Sequence, residues 1–208
     1  MKNFYKKKSL FIFDLDGVLI DSKENMKFAW KNVKIKHNIK VSFNSYFQNI
    51  GESFPNILKK LKIKKDGKSI ENTYKQESLK NINLISLYPG VKKTLQYLIK
   101  KKIKIVIVTS KDKFRSKKIL KKLGVKIQQI YSPTKHLKGK PKPDLIFEAI
   151  RKNNSSKKLS LFVGDTISDR RAAKNAGVDF IFAKYGYKIG IKKSKFYINK
   201  FEKIKSIL

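Results

Sequence analysis

Short apolar runs of strand length recur along the chain, and amphipathic segments separate them. Polar or turn-forming residues bound each run, as is typical of buried strands in a parallel sheet. The predicted strands are Leu10–Phe13, Ile103–Val108, Ile127–Ile130, Leu159–Val163 and Asp179–Ala183. Because strands and helices alternate, the pattern predicts an α/β fold built on a Rossmann-like, doubly wound parallel sheet.

Apolar positions three and four residues apart predict the helices. After the first strand they occur at Met26, Ala29, Trp30 and Val33, and Ser22 is the predicted N-cap of that helix. Later helices are predicted at Val91–Lys102, Lys113–Leu123, Asp144–Lys152 and Arg170–Gly177, with a lysine-rich one at Phe196–Leu208.

The segment between Ser22 and Leu87 has no convincing strand pattern. It instead predicts short helices separated by the breakers Gly51, Pro55 and Gly67. These helices are expected at Phe43–Asn49, Phe54–Leu61 and Ile70–Leu79. Since the segment follows the first strand, we expect residues 22–87 to form a small α-helical cap domain inserted into a core of residues 1–21 and 88–208.

The charge of the chain is strongly positive, at +36 for 208 residues. Such an excess of positive charge is typical of proteins that bind nucleic acid, and a basic nucleic-acid-binding protein remains an alternative. However, only four of the 51 basic residues are arginine, the side chain favoured for reading phosphates and bases, and lysine is spread over nearly the whole chain. A genome-composition bias therefore explains the charge better, and we expect no specific nucleic-acid partner.

Two absences narrow the chemistry further. The chain has no cysteine, which excludes disulfides, thiol catalysis and thiolate metal sites. No apolar run approaches the roughly 18 residues that a membrane span requires. We therefore expect a cytoplasmic protein with no membrane partner, either a monomer or a homodimer.

Polar side chains follow the predicted strands where each strand ends, and parallel strands meet at one edge of the sheet. This edge is expected to collect Asp14, Asp16, Thr109, Ser110, Lys140, Asp165 and Asp169. Crowded carboxylates repel one another unless a cation joins them, and oxygen ligands without His or Cys suit Mg²⁺. With a hydroxyl and an ammonium for the phosphate oxygens, the set indicates phosphoryl transfer.

Four motifs in order carry a resemblance to a known family. They are D-L-D-G-V-L-I-D-S from Asp14, V-I-V-T-S up to Ser110, K-P-K-P-D from Lys140 and G-D-T-I-S-D-R-R-A-A-K-N-A-G from Gly164. Together they resemble the haloacid dehalogenase superfamily, in its Mg²⁺-dependent phosphatase branch with a helical cap. The Y-G-Y segment at Tyr185 makes the pattern similar to phosphoglycolate phosphatases.

The resemblance implies a hydrolase of phosphoric monoesters that works through an aspartyl-phosphate on a small anionic substrate. It makes Asp14 the nucleophile and Asp16 the general acid and base. Asp14, Asp165 and the carbonyl of Asp16 would hold Mg²⁺, with Asp169 as a direct or water-mediated ligand. The implied phosphate-binding residues are Thr109, Ser110 and Lys140.

Some of these residues also have ordinary structural explanations. Thr109 suits a strand-end cap and Asp169 an N-cap, while Lys138 and Lys142 are easily mistaken for Lys140. For substrate choice, the cap positions Ser53 and Phe54 are candidates.

A sugar phosphomutase of the same family is the alternative enzyme. Such mutases commonly carry a histidine where this chain has Met26 and an arginine where we align Phe54. Both departures favour the phosphatase, acting on phosphoglycolate, a sugar phosphate or a nucleotide.

Overall fold

A computed structural model of the chain describes residues 8–127 and 129–207. The strands are β1 (Leu10–Phe13), β2 (Ile20–Asp21), β3 (Ser86–Leu87), β4 (Lys104–Val108), β5 (Ile130–Tyr131), β6 (Ser160–Gly164), β7 (Asp179–Ala183) and β8 (Tyr197–Ile198). Within the described residues, six of them form one parallel sheet in the order β5-β4-β1-β6-β7-β8. The predicted α/β class is confirmed, and β1 lies near the middle of the sheet.

Helices cover both faces of this sheet. The helices are α1 (Lys23–His37), α2 (Phe43–Phe47), α3 (Phe54–Lys60), α4 (Gly67–Lys80), α5 (Val91–Lys100), α6 (Lys113–Lys122), α7 (Asp144–Lys152) and α8 (Ile167–Ala176). Alternate residues of β1 point to opposite faces. Phe11 and Phe13 pack into one apolar cluster with α5 and α6, while Leu10 and Ile12 pack into another with α7 and α8.

Helices α1 to α4 share an apolar cluster, which Ile189 from the later part of the chain also joins. Trp30 of α1 stacks on Tyr46 of α2 with ring centroids 4.4 Å apart, and Ile70 and Tyr74 of α4 complete the same cluster. The chain enters and leaves this group through β2 and β3, which pair antiparallel at Ile20 with Leu87. No helix in the described part of the chain has the length and apolar character to cross a membrane.

Two predicted elements of the core differ in the structure. The strand predicted at Ile127–Ile130 forms instead at Ile130–Tyr131, since these two residues are the ones in register with Ile107 and Val108 of β4. Gln128, inside the predicted span, lies outside the described residues.

The C-terminal α-helix predicted at Phe196–Leu208 is wrong as far as the described residues go. Tyr197 and Ile198 extend the sheet as β8, and a 3₁₀-helix follows at Phe201–Ile207. The buried residues Phe201, Ile204 and Ile207 are three apart, which is the repeat of a 3₁₀-helix and not of an α-helix.

Two of the residues predicted to separate helices in the segment 22–87 lie inside helices in the structure. Pro55 lies in the first turn of α3, where its missing N–H removes no helical hydrogen bond, and Gly67 is the first residue of α4. Asp66 caps α4 by accepting hydrogen bonds from the backbone N–H groups of Lys68 and Ser69. The short strand β3 was missed because two residues are too few to show an alternating pattern.

Candidate active site

The site lies at the carboxyl edge of the sheet, where the chain leaves three adjacent parallel strands. Phe13 is in register with Ile107 of β4 and with Val163 of β6. The residues that follow these strands are therefore brought side by side. Asp14, Thr109 and Asp165 are all nearly fully buried there.

Lys140 is the cation at the centre of this edge. Its Nζ lies 2.9 Å from Oδ1 of Asp14 and 2.6 Å from Oδ1 of Asp169, and the residue is 1% exposed. Lys138 and Lys142 of the same loop are exposed. The geometry therefore selects Lys140 from the three lysines of the motif as the partner of Asp14.

The carboxylates of Asp14, Asp165 and Asp169 form a cluster in which one oxygen of each lies within 4.8 Å of the others. Burial raises the pKa of Asp14 to about 7, and the charge of Asp169 adds to this while Lys140 opposes it. Burial, with the charges of Asp169 and Asp14, also raises the pKa of Asp165 well above its ordinary value. Burial lowers the pKa of Lys140, but Asp14 and Asp169 outweigh burial and the net direction is upward. One lysine thus does not balance the three acids, and the cluster has room for another positive charge.

Asp165 provides the strongest indication that this charge is a metal ion. Its Oδ2 accepts a hydrogen bond of 2.7 Å from the backbone N–H of Tyr187, whereas its Oδ1 is buried and has no hydrogen-bond partner among the described residues. A buried carboxylate oxygen without a partner is costly. Both described contacts of Asp14 use its Oδ1, from Leu15 N–H and from Lys140, which leaves Oδ2 for another partner. The donor set therefore fits a divalent ion that prefers oxygen.

Two glycines let the backbone close around Asp165. A Cβ on Gly17, whose φ is +82°, would lie 2.1 Å from Oδ2 of Asp165. A Cβ on Gly186 would lie 2.1 Å from the carbonyl oxygen of Gly17 and 2.7 Å from the Cβ of Asp165. Side chains at either position would displace the carboxylate.

Both oxygens of Asp169 already accept hydrogen bonds. Oδ1 accepts from Lys140, and Oδ2 accepts from the backbone N–H of Asp165 and from the N–H and hydroxyl of Thr166. With Thr166, Asp169 forms the capping box that starts α8. This favours an indirect role, in which Asp169 holds Lys140 and the turn that carries Asp165.

Asp16 lies on the open side of the cluster and is bound by two groups. Its Oδ1 accepts a hydrogen bond of 2.5 Å from the hydroxyl of Ser22 and lies 3.1 Å from Nζ of Lys111. Ser22 does occupy the N-cap position of α1, but its side chain makes no capping hydrogen bond because the hydroxyl is used by Asp16.

The two hydroxyl residues after β4 face different surroundings. Thr109 is buried, and its Oγ1 accepts from the backbone N–H of Lys111 at 3.1 Å. Ser110 instead donates its hydroxyl to the carbonyl of Gly51 at 2.8 Å, in the loop between α2 and α3. Ser110 therefore links the edge of the sheet to the helical segment.

A cavity of about 820 Å³ opens between this edge and the helices α2 to α4. Asp14, Asp16, Thr109 and Lys140 line one side of it. Ser53 and Phe54 line the other, and the Phe54 ring is 5.1 Å from that of Tyr74. Seven of the nine predicted site residues thus line one cavity, and Asp165 and Asp169 lie behind its lining.

Three residues at this site were not predicted from the sequence. Lys111 and Arg115 are buried cations that line the cavity, and sequence reasoning could not single them out in so basic a chain. Tyr187 holds Asp165 through its N–H, and its hydroxyl accepts from the backbone N–H of Ser22 at 2.7 Å. The Y-G-Y motif at Tyr185 is the available signal in the sequence, but the motif alone predicts no contact with Asp165.

Comparison with known proteins agrees with this architecture. Residues 11–183 match the family model of the haloacid dehalogenase-like hydrolases. The phosphoglycolate phosphatase of Pseudomonas fluorescens (strain Pf0-1) is 30% identical over 193 residues, which cover 87% of this chain and 71% of that protein. That of Aquifex aeolicus is 27% identical over 182 residues, covering 86% and 85% respectively.

A solved structure of a hydrolase from Pseudomonas syringae has a similar fold. It superimposes with a TM-score of 0.85 at 25% identity, covering 95% of this chain and 97% of the other. This likeness extends over the parallel sheet and the helical segment together. The chain therefore belongs to the haloacid dehalogenase-like hydrolase family.

Proposed function

We propose that the protein is a Mg²⁺-dependent phosphatase that hydrolyses a small phosphomonoester through an aspartyl-phosphate on Asp14. The observation that carries the proposal is the pairing of Asp14 with the buried Lys140, 2.9 Å apart, in the same cluster as an Asp165 oxygen that has no hydrogen-bond partner in the described part of the chain. This arrangement provides a nucleophile, a cation for the phosphoryl oxygens and a metal ligand at one point. The names of the relatives support the same reaction and make phosphoglycolate the leading candidate substrate.

In the first step, a carboxylate oxygen of Asp14 attacks phosphorus and the bond from phosphorus to the ester oxygen breaks. Lys140 and the Thr109 hydroxyl bind phosphoryl oxygens and offset their charge. Asp16 gives its proton to the departing alkoxide, so that a neutral alcohol leaves.

In the second step, Asp16 takes a proton from water, which attacks phosphorus and releases Asp14 as a carboxylate. The contacts with Ser22 and Lys111 orient Asp16 for both transfers. The products are inorganic phosphate and the alcohol, and the enzyme returns to its first state.

The metal would be held by Asp14, Asp165 and the carbonyl of Asp16, with Asp169 acting through Lys140 or through water. When bound, Mg²⁺ would neutralise charge on the phosphoryl group and fix its orientation. Tyr187 and Gly186 keep the Asp165 carboxylate directed at this position.

We also propose that residues 22–87 act as a cap domain over a core of residues 1–21 and 88–208. The apolar cluster of α1 to α4, in which Ile189 is the one buried member from the described part of residues 88–208, supports this division. The hairpin of β2 and β3, through which the chain enters and leaves, supports it too. Ser53 and Phe54 would then contact the leaving group from the cap side of the cavity.

The test is a phosphate-release screen over a panel of phosphomonoesters, with and without Mg²⁺. We expect turnover that requires Mg²⁺ and is abolished in Asp14→Asn, while the circular dichroism spectrum of that variant is unchanged. Turnover retained in Asp14→Asn would contradict the assignment. Isomerised sugar phosphate in place of inorganic phosphate would favour a phosphomutase.

A further inference from the structure

We infer that Arg115, together with Lys111, forms a carboxylate-binding site that selects substrates whose leaving group is a short hydroxy acid. This inference rests on the proposed phosphatase function and concerns the end of the cavity away from the phosphoryl group.

Arg115 is a buried cation with unused hydrogen-bonding capacity. The residue is 6% exposed, and its Nε binds Oδ2 of Asp112. Its Nη1 is buried and has no hydrogen-bond partner among the described residues. A guanidinium nitrogen in this state is expensive to bury unless a ligand completes it.

The surroundings of Arg115 place it on the cavity wall and not in the interior of the fold. Its Cζ lies 5.5 Å from the centre of the Tyr74 ring, on the helical side of the cavity. Tyr46 and Tyr74 are buried aromatic residues of the same wall. A ligand bound there would lose its contacts with water and gain contacts with aromatic rings and a fixed positive charge.

Lys111 brings a second buried cation and also sets the distance to the reacting end. Its Nζ is 3.1 Å from Oδ1 of Asp16, the residue that would protonate the ester oxygen. An anion on Lys111 would therefore be separated from the ester oxygen by a spacer of about one or two carbon atoms, given ordinary hydrogen-bond lengths.

The donors match a carboxylate better than a second phosphate. Asp112 pairs with Nε of Arg115, whose buried Nη1 has no partner in the described part of the chain, and Asp16 pairs with Nζ of Lys111. Because each of these cations already faces a carboxylate, the site has little positive charge to spare. A singly charged carboxylate therefore fits it better than a phosphate, which brings about one more negative charge.

Phosphonates that cannot be hydrolysed give a direct test by isothermal titration calorimetry with Mg²⁺ present. The probes are 3-phosphonopropionate, which carries the carboxylate, and propylphosphonate, which does not. We expect the wild type to bind the first about 10- to 100-fold more tightly, as for one charge-assisted hydrogen bond. In Arg115→Gln that preference should fall to a few-fold, which Lys111 still provides, with the affinity for propylphosphonate unchanged.

Arg170→Gln is the matched control, because Arg170 is exposed on α8, lies outside the lining of the cavity, and its loss changes the net charge equally. It should keep the preference. Arg115→Lys keeps a positive charge and should retain part of the preference for 3-phosphonopropionate. A folding failure of Arg115→Gln would therefore not end the test.

Hydrolysis provides a second readout that a purely structural role would not move. We expect Arg115→Gln to raise KM for phosphoglycolate at least 10-fold while KM for ethyl phosphate and both kcat values change little.

Three results would overturn the inference: equal binding of the two phosphonates by the wild type, equal losses for both substrates in Arg115→Gln, or tighter binding of ethane-1,2-bisphosphonate than of 3-phosphonopropionate. A wild type that prefers 3-phosphonopropionate but hydrolyses no phosphomonoester would instead contradict the proposed function and leave the binding site supported.

Discussion

Replacing Asp14 by asparagine should abolish activity and at the same time stabilise the metal-free protein at high pH. The folded chain raises the pKa of this carboxyl from 3.8 to about 7, chiefly through burial. The charged form is therefore disfavoured in the folded state, and asparagine has no charge to bury. Its side-chain oxygen can still accept the hydrogen bond that Leu15 N–H donates to Oδ1.

The magnitude follows from the change in pKa. Each pKa unit is worth about 1.4 kcal/mol, so the change from 3.8 to about 7 amounts to about 4 kcal/mol at pH 8. The sign is that of an acid whose pKa is raised on folding. Between these two values the folded state binds more protons than the unfolded state, so the wild type loses stability as pH rises through that window. Since this change in pKa already includes the attraction of Lys140, we expect the free energy of unfolding to rise by up to about 4 kcal/mol at pH 8.

Urea unfolding in EDTA at pH 5 and pH 8 measures the effect. The advantage of Asp14→Asn over the wild type should be larger at pH 8 than at pH 5 by about 2–3 kcal/mol. Asp179→Asn is the control, because Asp179 begins β7 at the other end of the sheet and pairs there with Lys8. Asp179→Asn should not raise the free energy of unfolding at either pH. An Asp14→Asn variant that is less stable than the wild type at pH 8 would refute the argument.

Three further variants or additions test the rest of the site. In a thermal scan, Mg²⁺ should raise the melting temperature more at pH 8 than at pH 5, because it competes with protons for carboxylates of raised pKa. The Asp165→Asn variant should lose most of this increase. Lys140→Met should abolish phosphate release and lower the free energy of unfolding by about 3–5 kcal/mol, since the variant leaves two carboxylates without their cation. Lys142→Met, at an exposed lysine, should change the free energy of unfolding by less than about 0.5 kcal/mol. Gly186→Ala should weaken Mg²⁺ binding in calorimetric titrations, because its Cβ would come 2.7 Å from that of Asp165; an unchanged affinity would argue against a tightly fitted carboxylate.

The sequence was sufficient to predict that these acids and Lys140 meet at one edge of the sheet, because each lies next to a local pattern. Asp14 and Asp165 end apolar runs, and Lys140 stands among prolines that exclude a helix. Parallel pairing then brings the strand ends together without any further information. The pattern also predicted most helices within a few residues.

The remaining contacts depend on positions far apart in the chain. Lys111 and Arg115 owe their importance to burial against Asp16 and the helical segment, and one lysine among many shows nothing of this in the sequence. Tyr187 reaches back across 165 residues to Ser22, and the 3₁₀-helix at Phe201–Ile207 forms because its apolar residues pack on the core at three-residue spacing. Tertiary packing decides such features.

The phosphorylation state of Asp14 during turnover tests the central claim most directly. The Asp16→Asn variant should still accept the phosphoryl group from p-nitrophenyl phosphate, because the p-nitrophenolate that leaves needs no proton. The variant should fail to activate water for the second step. With Mg²⁺ we therefore expect a burst of nitrophenol equal to the amount of enzyme, and mass spectrometry of the quenched protein should find the phosphoryl group on the peptide that contains Asp14. Steady nitrophenol release without a burst, or a peptide without the phosphoryl group, would contradict the account.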